Sequence, residues 1–174
     1  MQPNKSLPAS FLIPLAATAY VVLTSRALPP VVASHFDGGG AANGFMSRQF
    51  YIWFMLAFVV GIPLLLVVLP NLALRHTRIP FNLPNRDFWL APDRRQETVE
   101  FLCRHNARFG ILLTVFLCYV HWLVIRANAV APPTLSSAMF IVGLTVFALL
   151  SIAWLGALLG RFRKVPPPKG LRQR

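Results

Sequence analysis

The groups in this 174-residue chain that can do acid–base, metal or nucleophilic chemistry are few: four histidines, five carboxylates and two cysteines. His121 stands apart as the one ionisable side chain inside a long apolar stretch, and such a group is a functional candidate by default. Thr114, Cys118 and His121 follow at i, i+4 and i+7, so on a helix they form a narrow polar stripe that should face neighbouring helices rather than lipid. His35 and Asp37 sit together in a separate loop, on the same side as the near end of that stretch and as Asn128. Imidazole and carboxylate in one neighbourhood can bind a divalent cation or form a proton-linked switch, which makes His35, Asp37 and His121 the metal candidates. A metal centre needs three or four convergent ligands, and no spacing here brings them together. Structural hydrogen bonding, with His35 and Asp37 ordering their own glycine loop, is the stronger reading, and no cofactor is expected.

Catalysis is not the expectation either. The sequence has no HExxH, no GxSxG, no P-loop and no pair of carboxylates inside an apolar run. Cys118 on an apolar helix reads as packing. Cys103 and Cys118 are fifteen residues apart, and on one helix they would be about 22 Å apart, beyond disulfide reach. His76 and His105 lie among arginines, where a solvated interfacial position is expected.

The elements that must position these groups follow from hydropathy. Residues are 56% hydrophobic and 13% charged, against about 25% charged in an ordinary soluble domain. A helix needs about 20 largely uncharged residues to cross roughly 30 Å of hydrocarbon. Four segments meet or approach that: about 7–25, 50–74, 109–125 and 138–160. They leave an outer loop at 26–49, a cytoplasmic loop at 75–108 and a basic tail at 161–174. The fold class expected is therefore an all-α integral membrane protein, a four-helix bundle forming a single membrane domain over residues 1–174. Pro14 and Pro63 predict kinks inside the first two spans.

Charge sets the direction. Lys5, Arg75, Arg78, Arg86, Arg94, Arg95, Arg104, Arg108, Arg161, Arg163, Lys164, Lys169, Arg172 and Arg174 share one side of a four-pass layout, while only Arg26, Arg48 and Arg126 take the other. The positive-inside rule then puts both termini in the cytoplasm of a bacterial inner-membrane protein. With its basic residues placed that way, the net charge of +12 orients the chain in lipid, and nucleic acid is not an expected partner. Tyr20, Tyr51, Trp53 and Trp122 fall near the outer ends of their spans, as interfacial belt residues or as packing. A cleaved signal peptide over the first 27 or so residues is the competing reading of the N-terminus. The length of the apolar run and Arg26 within the would-be cleavage box count against it.

The loop between the first two spans runs Leu28-Pro29-Pro30-Val31-Val32-Ala33-Ser34-His35-Phe36-Asp37-Gly38-Gly39-Gly40-Ala41-Ala42-Asn43-Gly44-Phe45-Met46-Ser47-Arg48. Two prolines fix an extended entry, the Val-rich run can pair as a strand, and the glycines demand a tight turn. Its proline-led entry, His-Phe-Asp, glycine turn and Gly-aromatic-x-Ser resemble the uncharacterised N-terminal domain of SdpI-type bacterial membrane proteins. Leu28, Pro29, Val31, His35, Phe36, Asp37, Gly44, Phe45, Ser47 and Arg48 carry the likeness, over roughly residues 10–70 with the flanking spans. The stretch from Ile79 to Arg95 also resembles a segment of short members of that family, which lack the second half of the immunity proteins. The resemblance implies a non-enzymatic protein whose outer loop, at His35, Phe36, Asp37, Asn43 and Gly44, recognises an envelope peptide or partner, as in immunity or sensing.

Within the cytoplasmic loop, Phe81, Phe88, Trp89 and Leu90 are too apolar for a free linker, and Pro80, Pro84 and Pro92 forbid a continuous helix. The segment is expected to lie against headgroups with its arginines toward anionic lipid, or to dock a partner through Phe88 and Trp89. Asp93 is expected to cap a helix from Arg94, with Gln96 completing the box and Glu97 and Glu100 pairing with Arg94 or Arg104. That helix should run on into the third span. Gly156 and Gly160 form a GxxxG pair suited to close packing, within the chain or between copies as a homo-oligomer. Two further functions fit the same residues: an accessory subunit of a larger membrane complex, and a small transporter or metal-dependent membrane enzyme using His35, Asp37 and His121.

Overall fold

The structure, a computed structural model, describes residues 7–76 and 83–165. Lys5, Arg78, Pro80, Phe81, Lys169, Arg172 and Arg174, which entered the sequence reading, lie outside those residues.

Helix α1 (Leu7–Thr24) ends in a single 3-10 turn at Ser25–Ala27 and gives way to two strands, β1 (Val31–Phe36) and β2 (Ala42–Ser47). The chain then re-enters a long rod made of α2 (Arg48–Leu56), a π-helical stretch (Ala57–Gly61) and α3 (Ile62–His76). A short α4 (Arg86–Trp89) precedes α5 (Arg95–Asn128) and α6 (Ser137–Arg163). Three segments, Arg48–Leu74, Arg95–Asn128 and Ser137–Arg163, are long and apolar enough to cross a membrane, and Leu12–Ala27 is a shorter apolar helix. The hairpin and the α5–α6 connection share one end of the molecule; α4 and the start of α5 occupy the other.

The all-helical expectation is corrected at residues 31–47, where the Val-rich run and Asn43–Ser47 pair as an antiparallel hairpin. The register sets Val32 against Met46 and Ala33 against Phe45, then passes over Ser34 and Asn43 before His35 meets Gly44 and Phe36 meets Ala42. Val32 and Ala33 are fully buried, because β1 lies on the helix ends and packs Val32 with Val21, Leu28, Tyr51 and Val124.

Both prolines of the second rod have visible consequences. Pro63 removes an N–H and crowds the carbonyl of Val59 one turn back, and there the helix widens into the π-helical stretch Ala57–Gly61. Pro70 frees the carbonyl of Leu66 in the same way. The side-chain amide of Asn106 on α5 donates to Leu66 O at 3.0 Å and to Val67 O at 3.3 Å. It also reaches Asn71 Oδ1 at 3.3 Å, so a neighbouring helix repairs the broken ladder. Just beyond, Gly110 lets α5 approach α3, and a Cβ there would collide with Val67.

Helix α5 is the hub. At 34 residues it spans about 51 Å, more than the ~30 Å of a hydrocarbon core. It packs against α1, the π-helical stretch, α3, β1 and α6. As expected, it runs without a break from the loop into the third apolar segment. Its N-terminal cap is corrected: Arg94 is the cap residue and no side chain bonds there. Asp93 instead pairs with Arg94 at 3.3 Å, and Gln96 bonds Glu100 at 3.2 Å, because the chain enters through a tight turn in which Arg94 and Arg95 N–H both reach Ala91 O. Glu100 does pair with Arg104, at 3.6 Å, whereas Glu97 crosses to Arg161 on α6 at 3.0 Å.

Candidate functional site

At the hairpin end of α5, His121 is fully buried and fully hydrogen-bonded. Thr24 Oγ1 donates its only proton to the Tyr20 carbonyl, 2.6 Å away in its own helix. Its contact with His121 Nε2, at 2.8 Å, is therefore one in which the ring donates. With the proton on Nε2, neutral Nδ1 is left to accept, and Tyr51 Oη lies 2.8 Å from it as the donor. The network itself fixes the tautomer. Tyr20 meets the imidazole edge-on at 5.6 Å and Tyr51 lies nearly parallel to it at 5.7 Å. One histidine thus ties α1, α2 and α5 beneath the hairpin.

Of the predicted stripe, Thr114 is buried but bonds the Gly110 carbonyl of its own helix, and Cys118 packs against the apolar cluster around Tyr51 and Val124. The stripe faces protein, as the spacing implies. Cys103 and Cys118 are both free thiols. Tyr51 is buried beside His121, so of its two sequence readings packing holds. Trp53 projects from the protein with 64% of its surface open.

The hairpin is built on polar backbone ties. Asp37 Oδ1 accepts from Gly39 N and Ala41 N, both at 2.9 Å, and Gly40 N reaches back to Asp37 O at 3.0 Å. Gly40 takes a φ of 89°, open to glycine without strain. There its carbonyl accepts from Leu135 N at 2.8 Å, seating the turn on the α5–α6 connection. Asp37 orders the glycine turn, as expected of it, whereas the His35 side chain, expected to share that role, contacts Ser34 instead. His35 is exposed and has Ser34 Oγ 3.3 Å from its Nδ1. Phe36 packs toward the core, and Gly44 lies directly under the His35 side chain. The metal candidates do not come together: His121 is enclosed with Thr24 and Tyr51, Asp37 is spent on the turn, and His35 stays with Ser34. Among the described residues no group of three His, Cys, Asp or Glu side chains can hold a metal ion.

Asn128 does what its position alone could not announce. Its side-chain amide accepts from Ala33 N and donates to Ala33 O, each at 2.9 Å, and so stands in for a missing strand along the outer edge of β1. Since Ala33 directs its N–H and C=O to Asn128, its register partner Phe45 must direct its own away from β1. Ser47, two residues on, does the same. The sheet has two strands, so among the described residues the β2 edge at Phe45 and Ser47 has no strand beside it. Phe45 is 59% exposed, and Asn43 and Arg48 flank it on the surface. One edge is closed by a side chain; the other, just past the bridge of Ala41 to Thr134, has no strand beside Phe45 and Ser47 among the described residues.

The loop end is assembled from residues expected at an interface. Asn85, at a positive φ of 53°, donates to the carbonyls of Phe162 (2.9 Å) and Arg163 (3.1 Å). Trp89 Nε1 adds a bond to Phe162 O at 3.2 Å. These side chains satisfy the last carbonyls of α6, which lack partners in any helix. Phe88 underlies the Arg94 guanidinium at 4.0 Å, and Arg161 lies over Phe101 at 4.1 Å. Trp89 is therefore engaged within the chain. His105 corrects its expectation of a solvated place: it is buried between Phe101 and Trp154, with Nε2 donating to Trp154 O at 3.0 Å and Trp154 Nε1 returning a bond to His105 O at 2.9 Å. Gly156 and Gly160 meet nothing; a Cβ at either would enter open space.

Comparison with protein-family models, with curated proteins and with solved structures found no match to this chain.

Proposed function

We propose that the chain is a non-enzymatic protein of a bacterial cytoplasmic membrane, and that its hairpin recognises an extended polypeptide at the outer face. Four crossings are the arrangement that fits α1 best. Its 18 residues make about 27 Å of helix, close to the hydrocarbon thickness. In that arrangement both termini, α4 and the start of α5 are cytoplasmic, and fourteen of the seventeen Lys and Arg side chains lie on the inner side. The SdpI-type resemblance of residues 28–48 supports the same reading by analogy.

The observation that carries the recognition role is the unequal treatment of the two sheet edges. A bare strand edge is a template for another chain, and proteins that read extended peptides use main-chain bonds for affinity and side-chain pockets for specificity. Here Asn128 closes β1, while β2 offers the outward amide and carbonyl of Phe45 next to its exposed ring. The buried His121 tie and the Asp37 turn hold that edge in place, which lowers the cost of ordering it on binding.

Phe45→Pro tests the idea, since it deletes the outward N–H and leaves the bonds to β1 intact. With a photo-reactive residue at Asn43 in intact cells, the unaltered edge should form a polypeptide adduct. The Phe45→Pro chain should insert equally and lose that adduct. Equal adducts in both chains would rule out strand addition.

A further inference from the structure

We infer that the C-terminal end of α6 is a binding site for an acidic phospholipid, its headgroup held by Arg86, Arg163 and Lys164 and an acyl chain lying in the glycine groove above them. The inference is independent of what the hairpin binds and needs only that α6 lies in lipid.

Four carboxylates occur in the described residues from 83 to 165, and three are already committed: Asp93 to Arg94, Glu97 to Arg161 and Glu100 to Arg104. Arg94 and Arg161 are further occupied by the rings of Phe88 and Phe101. Arg86, Arg163 and Lys164 are exposed and enter no ion pair among the described residues, with Asp87 the remaining carboxylate of the region. The fold brings the backbone of Arg86 to the end of α6 that carries Arg163 and Lys164. Asn85 holds the Arg163 carbonyl at 3.1 Å, which sets Arg86, the next residue, beside the end of α6. Three exposed cations against the one remaining carboxylate leave this end of α6 with excess positive charge, complementary to a phosphodiester.

What adjoins this end selects lipid over a soluble anion. Leu149, Ile152, Gly156, Gly160 and Arg163 recur at three- and four-residue steps, so they share one face of α6. Leu149 and Ile152 are 61% and 66% exposed, and the two glycines open a shallow channel with nothing above it. None of the apolar window of α6 is buried inside the protein. An apolar channel that terminates in three cations matches an amphiphile with an anionic head. Phe162, next to Arg163 in α6, packs edge-on against Trp89 and anchors the loop that supplies Arg86.

The test is lipid retention. The full chain is reconstituted in bilayers of equal parts phosphatidylcholine and phosphatidylglycerol, and the lipids it keeps are identified by native mass spectrometry. The unaltered protein should enrich phosphatidylglycerol about tenfold, from several basic residues acting near a surface. Arg86→Gln with Arg163→Gln and Lys164→Gln should return the ratio to that of the bilayer. Gly156→Leu with Gly160→Leu should also lower it, with every charge kept, because the channel is filled. Arg26→Gln with Arg126→Gln, at the other end, should leave it unchanged. High salt should abolish the preference of the unaltered protein, a readout that does not depend on any variant folding. No enrichment in the unaltered protein, enrichment that survives the triple substitution or high salt, or a lipid-free dimer joined through α6 would each overturn the proposal.

Discussion

His121 shows what a polar side chain costs and gives between apolar helices. Both ring nitrogens are matched, one to Thr24 and one to Tyr51, so the desolvation that makes a lone buried polar group expensive is offset bond for bond. Removing the ring leaves the Tyr51 hydroxyl without its acceptor and takes from Thr24 Oγ1 the donor it accepts from, while the Thr24 bond to the Tyr20 carbonyl remains. His121→Ala should therefore lower stability by about 1–3 kcal/mol, more than one average interhelical bond in a membrane protein. A thermal melt in detergent checks this, and adding Tyr51→Phe should restore part of the loss because it removes one stranded group. The tautomer has its own readout: nitrogen-15 NMR of labelled histidine should show a protonated Nε2 and a bare Nδ1. A bare Nε2 would mean that Thr24 donates to the ring and that the bond to Tyr20 is absent. The sequence marked His121 as the group to watch, since a titratable side chain in an apolar run is visible from composition alone. Its partners were not legible. Thr24 and Tyr51 stand 97 and 70 residues away, and nothing in a local pattern says which distant hydroxyl meets a ring.

Among the elements, the long helices were legible because lipid imposes a length and a composition that any apolar run must meet. The hairpin was half legible: its valines and glycines suggested strand and turn, but Ser34 and Asn43, which fall out of register, did not show. What the sequence hid is the set of repairs that let irregular backbone exist beside apolar helices. Asn128 completes the edge of β1, Asn85 satisfies the end of α6, and Asn106 fills the gap left by Pro70. Each is an asparagine acting on backbone that is distant in sequence, and in the chain each reads as an ordinary polar residue. The third of these carries a double-mutant test. Asn106→Leu should cost about 1 kcal/mol while Pro70 is present. In a Pro70→Ala background, where residue 70 regains its own N–H for Leu66, the same change should cost much less, a coupling read from unfolding in a detergent series. Equal costs in the two backgrounds would show that Asn106 does not serve that carbonyl.

At the scale of the whole molecule, α5 organises everything else. It bonds to α1 and α2 through His121, to the hairpin through Asn128, to α3 through Asn106 and to α6 through His105 and Tyr119. Helix α6 has the opposite character, packing chiefly along α5 and leaving its remaining circumference to its surroundings. Such a division suits a rigid hairpin surface carried on a frame whose periphery is apolar and open. The two ends also differ in charge, with the hairpin end carrying Arg26, Arg48 and Arg126 and the loop end carrying most of the rest. Direction across the membrane is the claim on which both the recognition edge and its ligand depend. Accessibility of single cysteines in intact cells measures it most directly, in a chain with Cys103→Ala and Cys118→Ala. A membrane-impermeant maleimide should label Asn43→Cys at once, and should label Lys164→Cys only after the membrane is opened. Labelling of Lys164→Cys from outside an unbroken cell, with Asn43→Cys protected, would contradict the layout.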